Sequence, residues 1–343
     1  MKVSAMIVTY NHERFIAEAI EGFLMQRASF PCELVIVDDC STDGTRDVVR
    51  RYWEKCRDRI RVILNRHNIG ARASIVRAYT ACRGDYVATV DGDDYWVSPD
   101  KLQRQADFLD AHPDCAMCFH SVVVMSDEGE EQPVLLRPPR IKEVYTLADL
   151  LECNLIQACS PMYRKGLFRE HPTWVYLTPV MDWAHHVLHA QHGDIGYLDE
   201  PMGVYRQHAG GMYSAKDKPA KLRIVVDMLR HFLCVLPREY WTGIRRSLCL
   251  SYCHLAWEYC DCERHEEARR CMRECIHEIS PSLSLPIREL LATMLRAYAP
   301  GLHRGCKRIV KGANRSRAKL TGTTGTSRSR SHGARNEVEE IGL

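Results

Sequence analysis

Nothing in this chain is apolar for long enough to cross a bilayer. The best run, Ile224 to Leu236, is interrupted by Asp227, Arg230 and His231, whereas a spanning helix needs about 20 mostly apolar residues. No secretory leader is expected either, because Met1 to Val8 runs into Asn11, His12, Glu13 and Arg14 before an apolar core can form. The expected location is the cytoplasm, with at most peripheral contact at the inner membrane surface. Global charge is also scarce. The formal net charge is +3, and six basic and three acidic side chains in residues 312–343 account for all of it. The remainder is neutral and offers no basic field for nucleic acid. Without a leader, the 16 cysteines read as reduced thiols and not as a disulfide framework. Cys115 and Cys118 sit on an alternating apolar strand that points their sulfurs to opposite faces, a poor metal geometry. Cys249/Cys253 and Cys271/Cys275 are one helical turn apart, with His254 and His265 nearby. That spacing leaves a zinc site open, but buried free thiols are commonplace and are the reading expected.

What is present is an alternation of short apolar runs and amphipathic stretches. Lys2–Thr9, Glu33–Val37, Arg61–Leu64 and Tyr86–Val90 read as buried strands, with helices between them. Asn11 is placed to cap the first helix, and Ser41 to Thr45 forms the turn into the second. Such an order predicts a parallel sheet covered by helices. Its ligand-binding edge is the set of strand C-termini, here Thr9 to Asn11, Asp38-Asp39 and Asp91 to Asp94. Asp91, Asp93 and Asp94 crowd three carboxylates into four residues, and each resists ionising unless a cation sits among them. Oxygen ligands of this kind suit Mg²⁺ or Mn²⁺. Further on, a helix from Pro99, a strand Cys115–Met125, a helix Thr146–Cys153, a strand Ala158–Tyr163 and a helix from Met181 to Gln191 are expected. Ile195–Leu198 and Met202–His208 follow as strands. Beyond Lys216 only helical periodicity remains, over Tyr240–Tyr259, Arg264–Ile279 and Pro286–Ala299. The division expected is 1–212, with a donor half to about 120, then a helical region 213–311 and a solvated, low-complexity tail 312–343.

Val8-Thr9-Tyr10-Asn11, Val37-Asp38-Asp39-Cys40-Ser41, Asn68-Ile69-Gly70, Asp91-Gly92-Asp93-Asp94 and Tyr205-Arg206-Gln207-His208 occur in one order. Through these motifs the chain resembles the family 2 glycosyltransferases over roughly residues 1–212. The resemblance implies the GT-A fold, an α/β architecture with a mostly parallel, Rossmann-like sheet, followed here by an all-helical region. It also implies inverting, non-processive transfer of one sugar from a nucleotide-diphospho-sugar, with a UDP-sugar favoured. The acceptor would be a hydroxyl of a glycan or lipid-linked glycan in cell-envelope polysaccharide synthesis. In that reading Thr9, Tyr10 and Asn11 line the donor pocket, and Asp39 accepts from a base N–H. Asp38 is structural or lies near the ribose. Asp91, Asp93, Asp94 and His208 hold Mn²⁺ or Mg²⁺, with Asp91 also near the ribose. Arg72 and Arg206 serve the diphosphate, Asp182 is the general base, and Gly210-Gly211 is a hinge. Two positions depart from the family pattern: Met181 replaces an acid before the base, and Ile75 replaces an arginine. The processive Q-x-x-R-W motif is absent. Sugar and acceptor selectivity is expected in Asp127–Glu143 and Trp174–Asp182. A nucleotide-binding scaffold with a protein partner at the helical C-terminus is the alternative reading. A sugar-1-phosphate nucleotidyltransferase would need a glycine-rich N-terminal loop that Lys2 to His12 lacks.

Overall fold

The computed structural model describes residues 1–127, 132–279 and 283–299. The expectations for 312–343 therefore lie outside the described residues. The chain divides into two compact units, Met1–Lys216 and Asp217–Leu343.

The first unit opens with β1 (Val3–Thr9), α1 (Ile16–Leu24), β2 (Cys32–Asp38), α2 (Thr45–Lys55), β3 (Ile60–Leu64), α3 (Ala71–Ala81) and β4 (Tyr86–Asp91). These four strands pair in parallel in the order β3-β2-β1-β4. Alternation along each strand decides which face a side chain serves. Ile7, Leu34, Ile36 and Val90 pack with Ile20 and Phe23 of α1 in one cluster. Met6, Val35, Val37 and Val87 pack with Ala78 and Tyr79 of α3 in another. Phe23 alone, fully buried, contributes on the order of 2–3 kcal/mol of apolar transfer. The register pairs Thr9 with Asp38 and Val8 with Asp91, so the polar strand ends line up along one edge.

Next come β5 (Tyr95–Trp96), α4 (Lys101–Ala111), β6 (Cys115–Ser126), β7 (Val134–Leu136), β8 (Val144–Tyr145), α5 (Leu147–Glu152), β9 (Met162–Arg164), α6 (Thr173–Tyr176), α7 (Met181–Ala190) and β10 (Asp194–Gln207). The sheet continues β4-β9-β6-β10-β5 and becomes mixed, since β9 runs antiparallel to both of its neighbours. Three local expectations change. The strand expected over Ala158–Tyr163 shrinks to β9, because Ser160 turns back to Gln157 and Pro161 has no N–H for a ladder. The two strands expected after residue 194 are one, β10, whose register against β6 shifts on either side of Pro201. Asn11 does not cap α1. It has φ 57° and its Oδ1 accepts from Thr42 N–H at 2.8 Å, while α1 begins after a turn closed by Ile16 N–H on His12 O at 2.9 Å.

In the second unit the described residues form α8 (Lys218–Val235), α9 (Trp241–Asp261), α10 (His265–Glu278) and α11 (Ile287–Tyr298), with a short 3₁₀ turn before α9. Asp217 caps α8 by accepting from Ala220 N–H at 2.8 Å. The zinc reading of the cysteines does not survive here. Cys249 and Cys275 each donate to the other's carbonyl at 3.6 Å, and Cys253 lies 4.0 Å from Cys275, sulfur to sulfur. Every cysteine among the described residues is a free thiol. No helix among them is long and apolar enough to cross a membrane.

Candidate active site

The edge begins where β1 and β2 end. Thr9 is buried, and its Oγ1 lies 3.2 Å from His12 Nδ1. Tyr10 beside it is exposed. Asp38 is fully buried and accepts from Arg46 Nε at 2.5 Å and Ser41 N–H at 3.1 Å, so it fastens the start of α2. Asp39 accepts from Asn65 Nδ2 at 2.8 Å, Ile69 N–H at 2.9 Å and Gly70 N–H at 2.8 Å. Burial pushes its pKa up, but the Ile69 amide, Asn65, Ser74 and the Gly70 amide together hold it below the usual value. A carboxylate has about four lone-pair sites, so Asp39 is committed first to fixing the Asn68–Gly70 loop. Gly70 takes φ 86° there, a backbone that favours glycine.

Asp91 closes β4, and the chain turns sharply at Gly92. A Cβ on Gly92 would come within 2.6 Å of both Thr9 Oγ1 and His12 Nδ1, so only glycine lets β4 pass the end of β1 this closely. Burial, then the charges of Asp93 and Asp182, push the Asp91 carboxyl up to about 8. Asp94 is pushed well above the carboxylate range by burial and by Asp93 and Asp91. Its Oδ1 accepts from Arg206 N–H at 2.9 Å, and its buried Oδ2 has no hydrogen-bond partner.

Arg206, expected beside the diphosphate, is held from several sides. Its Nε donates to Asp93 O at 3.0 Å, its Nη2 pairs with Glu18, and Asp127 lies 3.8 Å from its Nη1. The guanidinium also lies over the rings of Phe15 and Tyr95, at 4.8 and 5.0 Å. These contacts clamp the Asp93-Asp94 turn to α1 and the end of β6. Asp94, expected as a metal ligand, anchors β10 through the Arg206 amide.

Asp93 and His208 do come together, with Oδ2 and Nε2 3.1 Å apart. Adjacent ligands on an octahedral ion with bonds of about 2.1 Å lie about 3 Å apart, so this pair fits a divalent cation. His12, which sequence reasoning passed over, flanks it with Nε2 3.8 Å from the same Asp93 oxygen. The available signal was its place three residues past Thr9, in the turn that leaves the strand edge. Among the described residues no group of three or more His, Cys, Asp or Glu side chains could enclose a metal. The protein therefore offers a partial set, suited to Mg²⁺-type ions that complete their shell with waters and phosphate oxygens.

Asp182 is the second residue of α7 and is half-buried. Burial pushes its carboxyl up to about 6, although the Trp183 amide, donating to Oδ1 at 2.6 Å, pulls the other way. The helix bearing it is held from behind by neutral histidines. His186 Nδ1 meets Tyr163 OH at 2.7 Å, His189 Nε2 meets Tyr79 OH at 3.1 Å, and His185 Nε2 lies 3.0 Å from His171 Nε2. Burial keeps His186 and His189 down at about 3. From α3, Arg72 reaches across to donate to Pro179 O at 3.2 Å, which places it beside the segment leading to Asp182. Arg77 is spent on Asn65 at 2.5 Å. Ile75 packs against the Met6–Val35 cluster and Met181 is buried, so both departures from the family pattern are apolar packing positions.

This architecture is that of a GT-A domain. The crystal structure of Staphylococcus aureus TarS residues 1–349 with UDP-GlcNAc superposes with a TM-score of 0.59 at 22% identity, covering 92% of each chain. The Pyrobaculum calidifontis mannosyltransferase PcManGT, solved with GDP-Man and Mn²⁺, gives a TM-score of 0.57 at 20% identity, covering 87% of this chain and 81% of that one. The sequence goes further than the fold. Residues 4–171 match the family described as Glycosyl transferase family 2, so the chain carries a domain of this family. A relative in Mycobacterium tuberculosis, named Uncharacterized protein Rv1520, is 39% identical over 212 residues, 62% of this chain and 60% of the relative. S. aureus TarS, named poly(ribitol-phosphate) beta-N-acetylglucosaminyltransferase, is 30% identical over 177 residues, 50% of this chain and 29% of TarS. The chain thus matches about three-fifths of the length of the first of these relatives.

Proposed function

We propose that this chain is an inverting glycosyltransferase. It moves one sugar from a nucleotide-diphospho-sugar, with UDP as the nucleotide, to a hydroxyl of a glycan or lipid-linked glycan in envelope polysaccharide assembly. The observation that carries the reading is the meeting, at one sheet edge, of the Asp93–His208 pair with Asp182, whose charge is felt at Asp91. The family 2 domain and the UDP-GlcNAc held by TarS support the donor class.

Asp182 is the proton acceptor. With a pKa near 6 it is ionised at neutral pH yet more basic than a free carboxylate, as a general base should be. It takes the acceptor hydroxyl's proton as that oxygen bonds to the anomeric carbon and the bond to the nucleotide diphosphate breaks on the opposite face. Asp93 and His208 would hold a divalent cation, which when bound screens charge on the leaving diphosphate. Thr9, Tyr10 and the Asp39-anchored loop border the nucleotide, and Arg72 is the guanidinium left to serve the phosphates or the acceptor side. Residues 1–212 would then carry transfer.

The test is calorimetric binding of UDP and of GDP, with and without Mn²⁺, to the wild type and to Asp93→Asn. UDP binding that needs Mn²⁺ and weakens at least tenfold (about 1.4 kcal/mol) in the variant is the expected result. GDP in place of UDP would change the donor class. Binding of neither would remove the donor site. UDP-GlcNAc is the first donor to try for transfer.

A further inference from the structure

Lys101 is the first residue of α4 and is fully buried. Lysine is almost never buried to this degree unless a charge pairs with it. Here the groups that oppose the downward pull of burial on its pKa are the thiols of Cys118 and Cys159 rather than a carboxylate. The start of a helix disfavours a positive charge as well. Two contacts hold the amine. Nζ donates to Gln105 Oε1 at 2.6 Å, and it lies over the Trp96 ring, 4.2 Å from the centroid. A cation over an indole face gains most when both are out of water, and Trp96 is buried too.

Trp96 matters because of what β5 joins. Asp93 stands two residues before Tyr95, and His208 follows the last residue of β10. β5 pairs with β10 at two positions, Gly203 with Trp96 and Val204 with Tyr95. This short strand therefore sets the acidic turn against the end of β10, where Asp93 and His208 lie 3.1 Å apart. A ladder of two residues relies on its side chains. Successive strand residues face opposite ways, and each aromatic ring of β5 has its own cation: Arg206 at 5.0 Å from Tyr95, and Lys101 over Trp96. The indole Nε1 also donates to Cys159 O at 2.9 Å.

We propose that Lys101 is a positioning residue for donor binding. Its amine holds Trp96 from one face of β5 while Arg206 holds Tyr95 from the other, and the two keep Asp93 at ligand spacing from His208. A methionine would fill the same space without the cost of burying an amine, so packing alone does not call for lysine here. The consequence for the donor rests on the function proposed above. The hold on β5 does not.

The experiment compares the full wild-type chain with Lys101→Met in two measurements. The first is hydrogen exchange of the unliganded protein, read by mass spectrometry. Exchange over residues 93–97 should be at least about fivefold faster in the variant, with β1 and β2 unchanged. The second is calorimetric binding of UDP with Mn²⁺, which should weaken at least about tenfold. Gln105→Met leaves the amine over Trp96 and should bind UDP within about twofold of the wild type. If Lys101→Met does not fold, Trp96→Phe takes its place in both measurements: it offers the amine a weaker ring face, and at least about a threefold loss is expected. Exchange over 93–97 that does not change, or that rises equally in β1 and β2, overturns the proposal. UDP affinity kept in a folded Lys101→Met overturns it too, and so does a loss in Gln105→Met as large as in Lys101→Met. A wild type that binds neither UDP nor GDP removes the functional reading instead, and the exchange measurement still decides whether Lys101 holds β5.

Discussion

Replacing Asp182 by Asn separates chemistry from stability, because the two should move in opposite directions. Asn has the same shape, and its oxygen can still accept from the Trp183 amide that now donates to Oδ1 at 2.6 Å. What it loses is basicity. General-base catalysis contributes about 10²–10⁴ in rate, so kcat should fall by at least 100-fold with KM for the donor little changed. In the wild type, kcat should also fall as pH drops through the Asp182 pKa of about 6, and this limb should vanish in the variant. Stability runs the other way. The folded pKa of about 6 lies above the ordinary aspartate value of 3.8, so the ionised carboxylate is better tolerated in the unfolded chain. It costs the fold stability, in full above pH 6 and not at all below about 4. Two pKa units correspond to about 3 kcal/mol. Asp182→Asn should therefore raise the free energy of unfolding by up to about 3 kcal/mol at pH 8, with the gain shrinking as pH falls from 6 to 4. Urea unfolding at pH 8 and pH 4.5, beside initial rates of UDP release from pH 5 to 8.5, reads both. A variant that keeps its rate within a few-fold, or that loses stability at pH 8, would refute the reasoning.

Three further substitutions probe the supports of the site. Arg206→Ala leaves Glu18 and Asp127 without their shared guanidinium; with Glu18 half-exposed the expected loss is about 2 kcal/mol in chemical denaturation, together with weaker Mn²⁺ binding by calorimetry, and Mn²⁺ affinity unchanged would show that the clamp does not position Asp93. Asp39→Asn forces one of the three donors on the Asn65–Gly70 segment to face an NH₂ group, at a cost of about 1–3 kcal/mol. Because the Asp39 pKa is depressed, its contribution is present above the unfolded-state value near 4 and lost as pH falls through the folded value, so the two proteins should converge in acid. Gly92→Ala must displace Thr9 or His12, each within 2.6 Å of the new methyl; thermal unfolding should register about 1–3 kcal/mol of overpacking strain, and metal-dependent UDP binding should drop at least about tenfold.

The parallel half of the sheet was legible because it is written in local terms. Apolar runs such as Glu33–Val37 and Tyr86–Val90 can only be buried strands, and the polar residues that end them fall on one edge by topology. The expectation for Asp182 came from the resemblance, which places an acid at the start of a late helix, and the carboxylate stands at the second position of α7. The mixed half was harder. β9 has three residues, and a strand so short has no period to detect. The bulges around Pro201 depend on β6, which lies some eighty positions earlier in the chain. The clamp at Arg206 was hidden for a related reason: its partners Glu18, Asp93 and Asp127 come from three separate elements, and no spacing in the sequence announces that they converge.

The same convergence explains how the acidic edge divides its labour. Asp91, Asp93 and Asp94 look interchangeable as a triplet, yet each meets a different environment. Asp94 is buried and tied to the Arg206 amide, so its charge is costly where it stands and its value is in holding β10 against the turn. Asp91, pushed up to about 8, resists ionising for as long as Asp93 and Asp182 lie near without a counter-charge. Asp93 alone has a histidine nitrogen at ligand spacing and some access to solvent, with a side chain 20% exposed. The nearest guanidinium, on Arg206, already serves Glu18 and Asp127. In the function proposed above, a divalent cation held by Asp93 and His208 would relieve this edge.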